Sequence, residues 1–277
     1  MNKDDIEYLA KIVYDRSGIV LTQEKAYLLE SRLAPIARKE GFNSIDDLVS
    51  TLRGRADEKM AWQITDAMTT NETFFFRDKT PFDNLKNHVL PELKARKSAG
   101  KVRIWCAASS TGQEPYSIAM LLNEEASKYP GLSFEITGTD ISNRVVEKAK
   151  SGLYSQFEVQ RGLPVTSLVK YFDKVDDMWQ LKPNIRSQVT FKQGNLQDDF
   201  TSLGKFDIIF CRNVLIYFDQ PTKAKILERM ATMMPDNGYL FLGAAETVMG
   251  LTDAFNSSRE VRGVYTRQAG WTRAKAA

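Results

Sequence analysis

The first 70 residues carry apolar positions at helical spacing and show no alternation of period two. Ile6, Leu9 and Val13 fall on one helix face, and Gly18 follows them as a stop signal. Three further stretches repeat this pattern of an amphipathic run bounded by polar or glycine residues. The pattern predicts a small all-helical domain over residues 1–70.

From Val102 onward, short apolar runs alternate with helical stretches. The apolar runs read VRIWCA, FEITGTD, VTFKQGN, FDIIFCR and YLFLGA. Mostly apolar strands separated by helices are typical of a parallel sheet that is covered on both faces. The alternation stops over residues 153–185, where MWQLK predicts a strand of a small inserted β-hairpin subdomain. We therefore predict an α/β fold with a doubly wound, mostly parallel sheet over residues 95–277, and a linker with a connecting helix over 71–94.

Composition narrows the possible chemistry. The 277 residues include 38 Lys and Arg against 35 Asp and Glu, a net charge of +3, which is too balanced for a surface that coats nucleic acid. The single histidine, His88, and two cysteines exclude a Cys/His zinc site and a disulfide framework. The start MNKDDIEYL lacks the layout of a signal peptide, and no apolar run approaches a membrane span. We expect a cytoplasmic monomer without a metal.

Ligands of a doubly wound sheet bind beyond the carboxyl ends of its strands, so the residues there are candidates for a binding site. AASSTGQEPYS follows the first strand and has neither the glycine pattern of a dinucleotide site nor that of a phosphate loop. This favours a nucleoside ligand without phosphates. Glu114, at the start of the next helix, favours a cationic or amine-bearing ligand, and Asp140 is placed to bind a ribose or, alternatively, to cap a helix.

Two further strand ends carry polar groups. Gly194, Asn195 and Leu196 follow VTFKQ, where an amide and an apolar side chain can flank an adenine ring or form a simple turn. CRNVLIYF places Arg212, Asn213 and Tyr217 after the next strand. Each position has an alternative structural role, but their coincidence at one sheet edge favours a nucleoside pocket.

The segment TNETFFFRD, residues 70–78, sets three phenylalanines between polar groups at the predicted linker. The rings Phe74 to Phe76 favour simple packing. Asn71, Thr73 and Arg77 are able to touch ligand and substrate together if the linker crosses the mouth of the pocket.

The blocks TNETFFFRD, WCAASSTGQEPYS, GTDIS, GNL and CRNVLIYFD, in this order, closely resemble the bacterial chemotaxis receptor glutamate methyltransferases, the CheR family. The resemblance spans nearly the whole chain. It implies a Rossmann-like methyltransferase that uses S-adenosylmethionine and releases S-adenosylhomocysteine. It also implies that the substrates are glutamate side chains on the cytoplasmic helical region of chemoreceptors, which become methyl esters during sensory adaptation.

The resemblance further assigns site residues by matching position. Those implied to line the S-adenosylmethionine site are Asn71, Thr73, Arg77, Glu114, Asp140, Asn195, Leu196, Arg212 and Asn213. Arg77 and Tyr217 are implied to face the reacting carboxylate and are the predicted catalytic residues.

Two other classes of function compete with this hypothesis. The first is a methyltransferase for a nucleic acid or a small molecule, although the Pro-Pro pair of amino-methylating DNA enzymes does not occur in the sequence. The second is a non-catalytic S-adenosylmethionine-binding module, against which the presence of Arg77 and Tyr217 argues. We expect no nucleic-acid partner and no insertion into a membrane.

Overall fold

The computed structural model describes residues 1–55, 57–97, 99–258 and 261–273, and the chain divides into two units. The helical unit comprises Met1–Thr70 and the short segment Tyr217–Thr222. The sheet unit comprises Asn71–Ile216 and Lys223–Ala277. Tyr217–Thr222 therefore groups with the helical unit although it lies far along the chain.

Four helices form the main part of the helical unit. They are α1 (Lys3–Ser17), α2 (Ala26–Lys39), α3 (Ile45–Gly54) and α4 (Glu58–Met68), and a 3-10 turn at Gln23–Lys25 precedes α2. Polar side chains cap three of their N-termini, since Asn2, Ser44 and Asp57 each accept a hydrogen bond from the backbone three residues on. The predicted all-helical N-terminal domain is confirmed.

The core of the helical unit is aliphatic. Leu9 and Val13 of α1 are buried together with Leu33 of α2, Leu48 of α3 and Ile64 of α4. These positions follow the apolar spacing of the sequence, so the periodicity that predicts the helices also selects their buried faces. Arg32 closes the unit at the end of α4, where its guanidinium donates hydrogen bonds to three successive carbonyls that the helix leaves unpaired.

A seven-stranded sheet forms the centre of the sheet unit. Its strands are β1 (Gly100–Ala107), β2 (Leu132–Asp140), β6 (Val189–Gln193), β7 (Ile208–Cys211), β8 (Tyr239–Leu242), β9 (Phe255–Ser257) and β10 (Val264–Arg267). Their order is β6-β2-β1-β7-β8-β10-β9. The first five are parallel in that order, whereas β10 is antiparallel to both β8 and β9. The predicted mostly parallel α/β sheet is confirmed.

Helices connect these strands. The longer ones are α7 (Gln113–Glu125), α8 (Asn143–Ser151) and α12 (Gln220–Thr232), and the shorter ones are α5 (Thr80–Asn84), α6 (Leu90–Arg96), α9 (Gln156–Gln160), α10 (Val165–Tyr171) and α11 (Pro183–Arg186). A π-helical stretch, Leu85–Val89, joins α5 to α6. Short 3-10 turns lie at Ala126–Lys128, Thr201–Leu203 and Leu215–Tyr217.

The central strands are buried along nearly their whole length. All four residues of β7 and of β8 are buried, as are the last four residues of β1. Burial on both faces explains why these runs are almost continuously apolar in the sequence instead of alternating.

The insert forms a separate three-stranded antiparallel sheet, with β3 (Leu153–Ser155), β4 (Phe172–Val175) and β5 (Met178–Leu181) in the order β3-β5-β4. Strands β4 and β5 form the predicted hairpin, which turns over two residues, Asp176 and Asp177. Asp176 has φ 51°, a left-handed conformation that aspartate tolerates better than most residues. Strand β3 extends this hairpin into a sheet.

Candidate active site

The strand order of the main sheet reverses at β1, which has β2 on one side and β7 on the other. The chain runs from β1 to β2 and on to β6 in one direction, and then returns to β7 on the opposite side of β1. The loops after β1 and β7 therefore diverge at this point and leave a crevice, which is the usual ligand site of such sheets.

The loop after β1 has an unusual backbone. Ala108, Ser110 and Gly112 have φ values of 55°, 49° and 93°. A Cβ at position 112 would lie 3.0 Å from the Ala149 Cβ and 3.1 Å from the Phe191 ring. Glycine is thus required at this position both for its conformation and for the close packing of the loop.

Asp140, the predicted ribose ligand, is buried at the end of β2. Its Oδ2 accepts a hydrogen bond from Ser110 N at 2.9 Å, and its Oδ1 accepts one from Ser142 N at 3.0 Å. The carboxylate therefore orders the loop after β1 and the start of α8. The predicted role of Asp140 toward a ribose stays a prediction.

Asn195 and Leu196 lie at the same edge, beyond β6. Gly194 N donates a hydrogen bond to Asp140 O at 2.9 Å, which ties this turn to the end of β2. Asn195 Oδ1 accepts a hydrogen bond from Gln197 N at 3.0 Å, and the Leu196 side chain is buried. The asparagine therefore takes the turn-forming role that the sequence left open, and its predicted role toward adenine stays a prediction.

Arg212, beyond β7, lies at the centre of a buried ionic network. Its side chain is 1% exposed, and it donates hydrogen bonds to Glu114 Oε2 at 2.6 Å and Asp78 Oδ2 at 2.7 Å. A third hydrogen bond runs to the Arg77 carbonyl at 3.1 Å. The network brings together three predicted site residues, Arg77, Glu114 and Arg212, and adds Asp78.

Two opposing effects act on the pKa of the Glu114 carboxyl. Burial raises the pKa of its carboxyl above the ordinary value, while the adjacent Arg212 guanidinium works in the opposite direction. Arg212 thus already pairs with the Glu114 carboxylate, and the predicted role of Glu114 toward a cationic or amine-bearing ligand stays a prediction.

The linker that carries the first predicted site residues is fixed to the loop after β1 and to helix α7. Ser110 Oγ donates a hydrogen bond to Asn71 O at 2.7 Å, and Phe76 N donates one to Ser117 Oγ at 2.9 Å. Thr73 is half-buried between these two attachments. The linker is therefore held against the loop after β1 and against α7, and the predicted contacts of Asn71, Thr73 and Arg77 with ligand and substrate stay predictions.

Three residues near the end of the linker have strained backbones. Phe76, Asp78 and Lys79 have φ values of 50°, 66° and 45°. Non-glycine residues rarely adopt this region, and clusters of such strain mark functional sites. The strain coincides with the point at which Asp78 pairs with Arg212.

Arg77 has a different environment from Arg212. Its side chain is half-buried, donates a hydrogen bond to Glu72 O at 2.8 Å and lies 5.6 Å from the centre of the Phe74 ring. These contacts leave several guanidinium N–H groups for other acceptors, because arginine has five donors. Phe75, by contrast, is fully buried and packs edge-on against Tyr154 and Phe172.

Asn213 adopts a left-handed conformation, with φ 58°, directly after Arg212. Its backbone N–H donates a hydrogen bond to Glu246 Oε2 at 2.8 Å. The same carboxylate accepts from Val214 N at 2.9 Å, Leu215 N at 2.7 Å and Gly243 N at 2.7 Å. Glu246 follows the carboxyl end of β8 and was not predicted from the sequence, although the same strand-end rule applies to it.

Tyr217 belongs to the helical unit, where its backbone and ring both have partners. Val20 N donates a hydrogen bond to Tyr217 O at 2.9 Å, and Lys25 Nζ lies 5.9 Å from the centre of the Tyr217 ring. Next to it, Phe218 forms a β-bridge with Ile19, and Asp219 accepts a hydrogen bond from Tyr14 at 2.7 Å. The predicted catalytic role of Tyr217 stays a prediction.

The residues at this edge suit a polar ligand. Within the described part of the sheet unit, three buried side-chain atoms here have no hydrogen-bond partner: Ser109 Oγ after β1, Ser142 Oγ after β2 and Arg212 Nε after β7. Buried polar atoms normally have partners. A nucleoside carrying hydroxyl, amine and carboxylate groups supplies donors and acceptors of the required kind, so the donor set fits S-adenosylmethionine.

Among the residues that the structure describes, no group of three or more His, Cys, Asp or Glu side chains is arranged to hold a metal ion. Over the same residues, no helix combines the length and the apolar character needed to cross a membrane.

Two family models match the chain and together cover most of it. Residues 71–264 match the CheR methyltransferase SAM binding domain, and residues 4–69 match the CheR methyltransferase all-alpha domain. The first match contains the crevice at β1 and β7, and the second contains nearly all of helices α1 to α4 of the helical unit.

Curated relatives match over nearly their full length. The chemotaxis protein methyltransferase Cher2 of Pseudomonas putida is 43% identical over 255 residues, which are 91% of this chain and 93% of the relative. A chemotaxis protein methyltransferase of Vibrio parahaemolyticus is 43% identical, over 92% of this chain and 94% of its own length. Chemotaxis protein methyltransferase 1 of Pseudomonas aeruginosa is 43% identical over 91% and 93%. With its two domain matches and these relatives, the chain belongs to the CheR methyltransferase family.

Proposed function

We propose that this protein transfers methyl groups from S-adenosylmethionine to glutamate side chains on the cytoplasmic helical region of a chemoreceptor. The products are glutamyl methyl esters and S-adenosylhomocysteine, and the modification serves sensory adaptation. The observation that carries the proposal is that three predicted site residues lie at one edge of the sheet. Glu114 follows β1, Asp140 ends β2, and Arg212 follows β7 and pairs with Glu114. Family membership supports the same conclusion.

The cofactor site is proposed to use the residues that flank the crevice. Asp140 is buried at the end of β2 and is proposed to bind the ribose hydroxyls, and Asn195 and Leu196, on the neighbouring turn, are proposed to contact the adenine. Glu114 and Arg212 form a buried ion pair at the same edge and are proposed to bind the amine and carboxylate end of the ligand. Asn71, Thr73, Arg77 and Asn213 complete the proposed set.

The proposed reaction does not require a general base from the protein. When bound, S-adenosylmethionine supplies a sulfonium-activated methyl group, which an ionised glutamate takes without a general base. The chain must therefore position the carboxylate and exclude competing water. A chain with a single histidine is able to meet this requirement, because positioning a carboxylate needs no general base.

Arg77 is the residue proposed to hold the substrate carboxylate. Its guanidinium lies on a strained linker, keeps N–H groups for further acceptors and is half-buried. The planar guanidinium of an arginine donates two parallel charge-assisted hydrogen bonds to a carboxylate, and these fix both the position and the plane of the carboxylate. Tyr217 is proposed to orient the second carboxylate oxygen through its hydroxyl.

Transfer of labelled methyl from S-adenosylmethionine into chemoreceptor-containing membranes tests the function. We expect label on a receptor band, and mild alkali should release that label as methanol because carboxyl methyl esters hydrolyse in base. Label that survives alkali would contradict carboxyl methylation and favour N-methylation. Binding of S-adenosylhomocysteine without any transfer to receptor would favour the non-catalytic module.

A further inference from the structure

Glu246 lies at the carboxyl end of the strand next to β7 and has no role among the predicted site residues. Strand β8 ends at Leu242, which is paired with Cys211 at the end of β7. A turn, closed by a hydrogen bond of 3.0 Å from Glu246 N to Gly243 O, then brings the carboxylate back over the end of β7. Glu246 is 9% exposed.

The carboxylate binds the backbone of three successive residues beyond β7. Its Oε2 accepts from Asn213 N, and its Oε1 accepts from both Val214 N and Leu215 N. Gly243 N supplies a fourth donor. Consecutive N–H groups form a concave anion site, and a buried carboxylate that fills such a site holds the backbone more firmly than neutral acceptors do.

The contact is sterically tight. A Cβ at position 243 would lie 2.7 Å from Glu246 Oε2 and 2.9 Å from Asn213 N. Glycine at position 243 thus lets the carboxylate reach the loop. Asn213 itself has φ 58°, and a strained residue keeps that conformation only where its surroundings impose it.

We propose that Glu246 is a positioning residue that fixes the Arg212–Asn213 segment for cofactor binding. The proposal rests on the proposed function, because that function assigns Arg212 and Asn213 to the cofactor site. Glu246 acts through the backbone of the loop and does not itself touch the cofactor. Tyr217 has a separate backbone hydrogen bond from Val20, so Glu246 affects cofactor affinity more than the rate at saturating cofactor.

Glu246→Gln is the decisive substitution. It keeps the side-chain shape but replaces one acceptor oxygen with an NH₂ group, which then faces backbone N–H donors. Calorimetric titration with S-adenosylhomocysteine should show a Kd about tenfold higher than that of wild type, because small misplacements of site residues carry penalties of this order or larger. The KM for S-adenosylmethionine should rise similarly, whereas kcat should fall by less than about threefold.

Asp207→Asn is the matched control. Asp207 lies just before β7, at its opposite end, and also accepts a backbone hydrogen bond, from Arg103 N at 2.8 Å. This variant should bind S-adenosylhomocysteine as wild type does. Circular dichroism confirms that each variant is folded at the temperature of the titration, so that a loss of stability alone cannot raise the Kd.

The outcomes separate the two proposals. If folded Glu246→Gln binds S-adenosylhomocysteine as wild type does, the positioning role is wrong. Should that variant not fold, Gly243→Ala stresses the same contact while keeping the carboxylate, and unchanged affinity in it would likewise overturn the role. If wild type itself binds no S-adenosylhomocysteine, the proposed function fails instead, and with it the basis of the inference.

Discussion

Arg212 and Arg77 are both assigned to the cofactor site, yet their surroundings in the sheet unit differ. Arg212 is 1% exposed and is held by two carboxylates and a backbone carbonyl. Arg77 is half-buried and donates a hydrogen bond to one backbone carbonyl, with Phe74 beneath it. One guanidinium is buried among fixed partners, and the other is half-buried and has a single backbone partner.

The difference indicates separate tasks. A buried arginine with fixed partners contributes a preorganised positive charge and cannot move to follow a substrate. An arginine with free donors on a linker is able to bind an incoming carboxylate. We therefore expect Arg212 to determine stability and cofactor affinity, and Arg77 to determine turnover.

The largest effect is expected for Arg212→Ala. The substitution leaves Glu114 buried without its cation, and removing one partner of a buried pair costs about 3–5 kcal/mol of unfolding free energy. Urea unfolding measures this loss, and titration with S-adenosylhomocysteine should show little binding. Arg53→Ala serves as control, because its pair with Asp5 is 43% exposed on the arginine side and should contribute less than about 1 kcal/mol. Similar losses of unfolding free energy in both variants would contradict the larger contribution predicted for Arg212.

An intermediate, pH-dependent effect is expected for Glu114→Gln. Since burial raises the pKa of Glu114 above 4.5, the folded protein holds this proton more tightly than the unfolded chain does. The stability that Glu114 contributes to the wild-type protein is therefore present at low pH and is lost as the pH rises through the folded-state pKa of Glu114. The unfolding free energy of the variant, relative to wild type, should increase as the pH is raised from 4.5. The opposite trend would mean that Arg212 outweighs burial.

The smallest effect is expected for Asp78→Asn. Asp78 is 44% exposed, so water screens its attraction to Arg212, and its removal should cost less than about 1 kcal/mol. Asparagine tolerates the φ of 66° at this position, so the backbone should keep its conformation. Affinity for S-adenosylhomocysteine should change by less than about twofold. A loss as large as that of Arg212→Ala would show that the second carboxylate is as important as Glu114.

Much of this architecture follows from local patterns in the sequence. The apolar spacing selected the buried faces of α1 to α4, and the continuous apolar runs identified the buried parallel strands. The strand-end rule then brought Glu114, Asp140 and Arg212 to one edge, because the carboxyl ends of parallel strands share an edge.

The hydrogen-bond and ion-pair partners of the residues at that edge could not be predicted from the sequence. Nothing in the local pattern shows that Glu114 pairs with Arg212, or that Glu246 binds three backbone N–H groups about 30 residues earlier in the chain. Such contacts depend on the register between strands, which the structure supplies. The grouping of Tyr217–Thr222 with the helical unit is non-local for the same reason.

The most direct test of the contrast between the two arginines compares turnover with cofactor affinity in Arg77→Ala. Methyl transfer to receptor at saturating S-adenosylmethionine and calorimetric binding of S-adenosylhomocysteine are measured on the same preparation, with Arg77→Lys as the charge-conserving variant. We predict that kcat falls by about 100-fold, that the Kd rises by less than about threefold, and that lysine restores only part of the rate. Equal losses of turnover and affinity would contradict a substrate-orienting Arg77 and leave it with a cofactor-binding role alone.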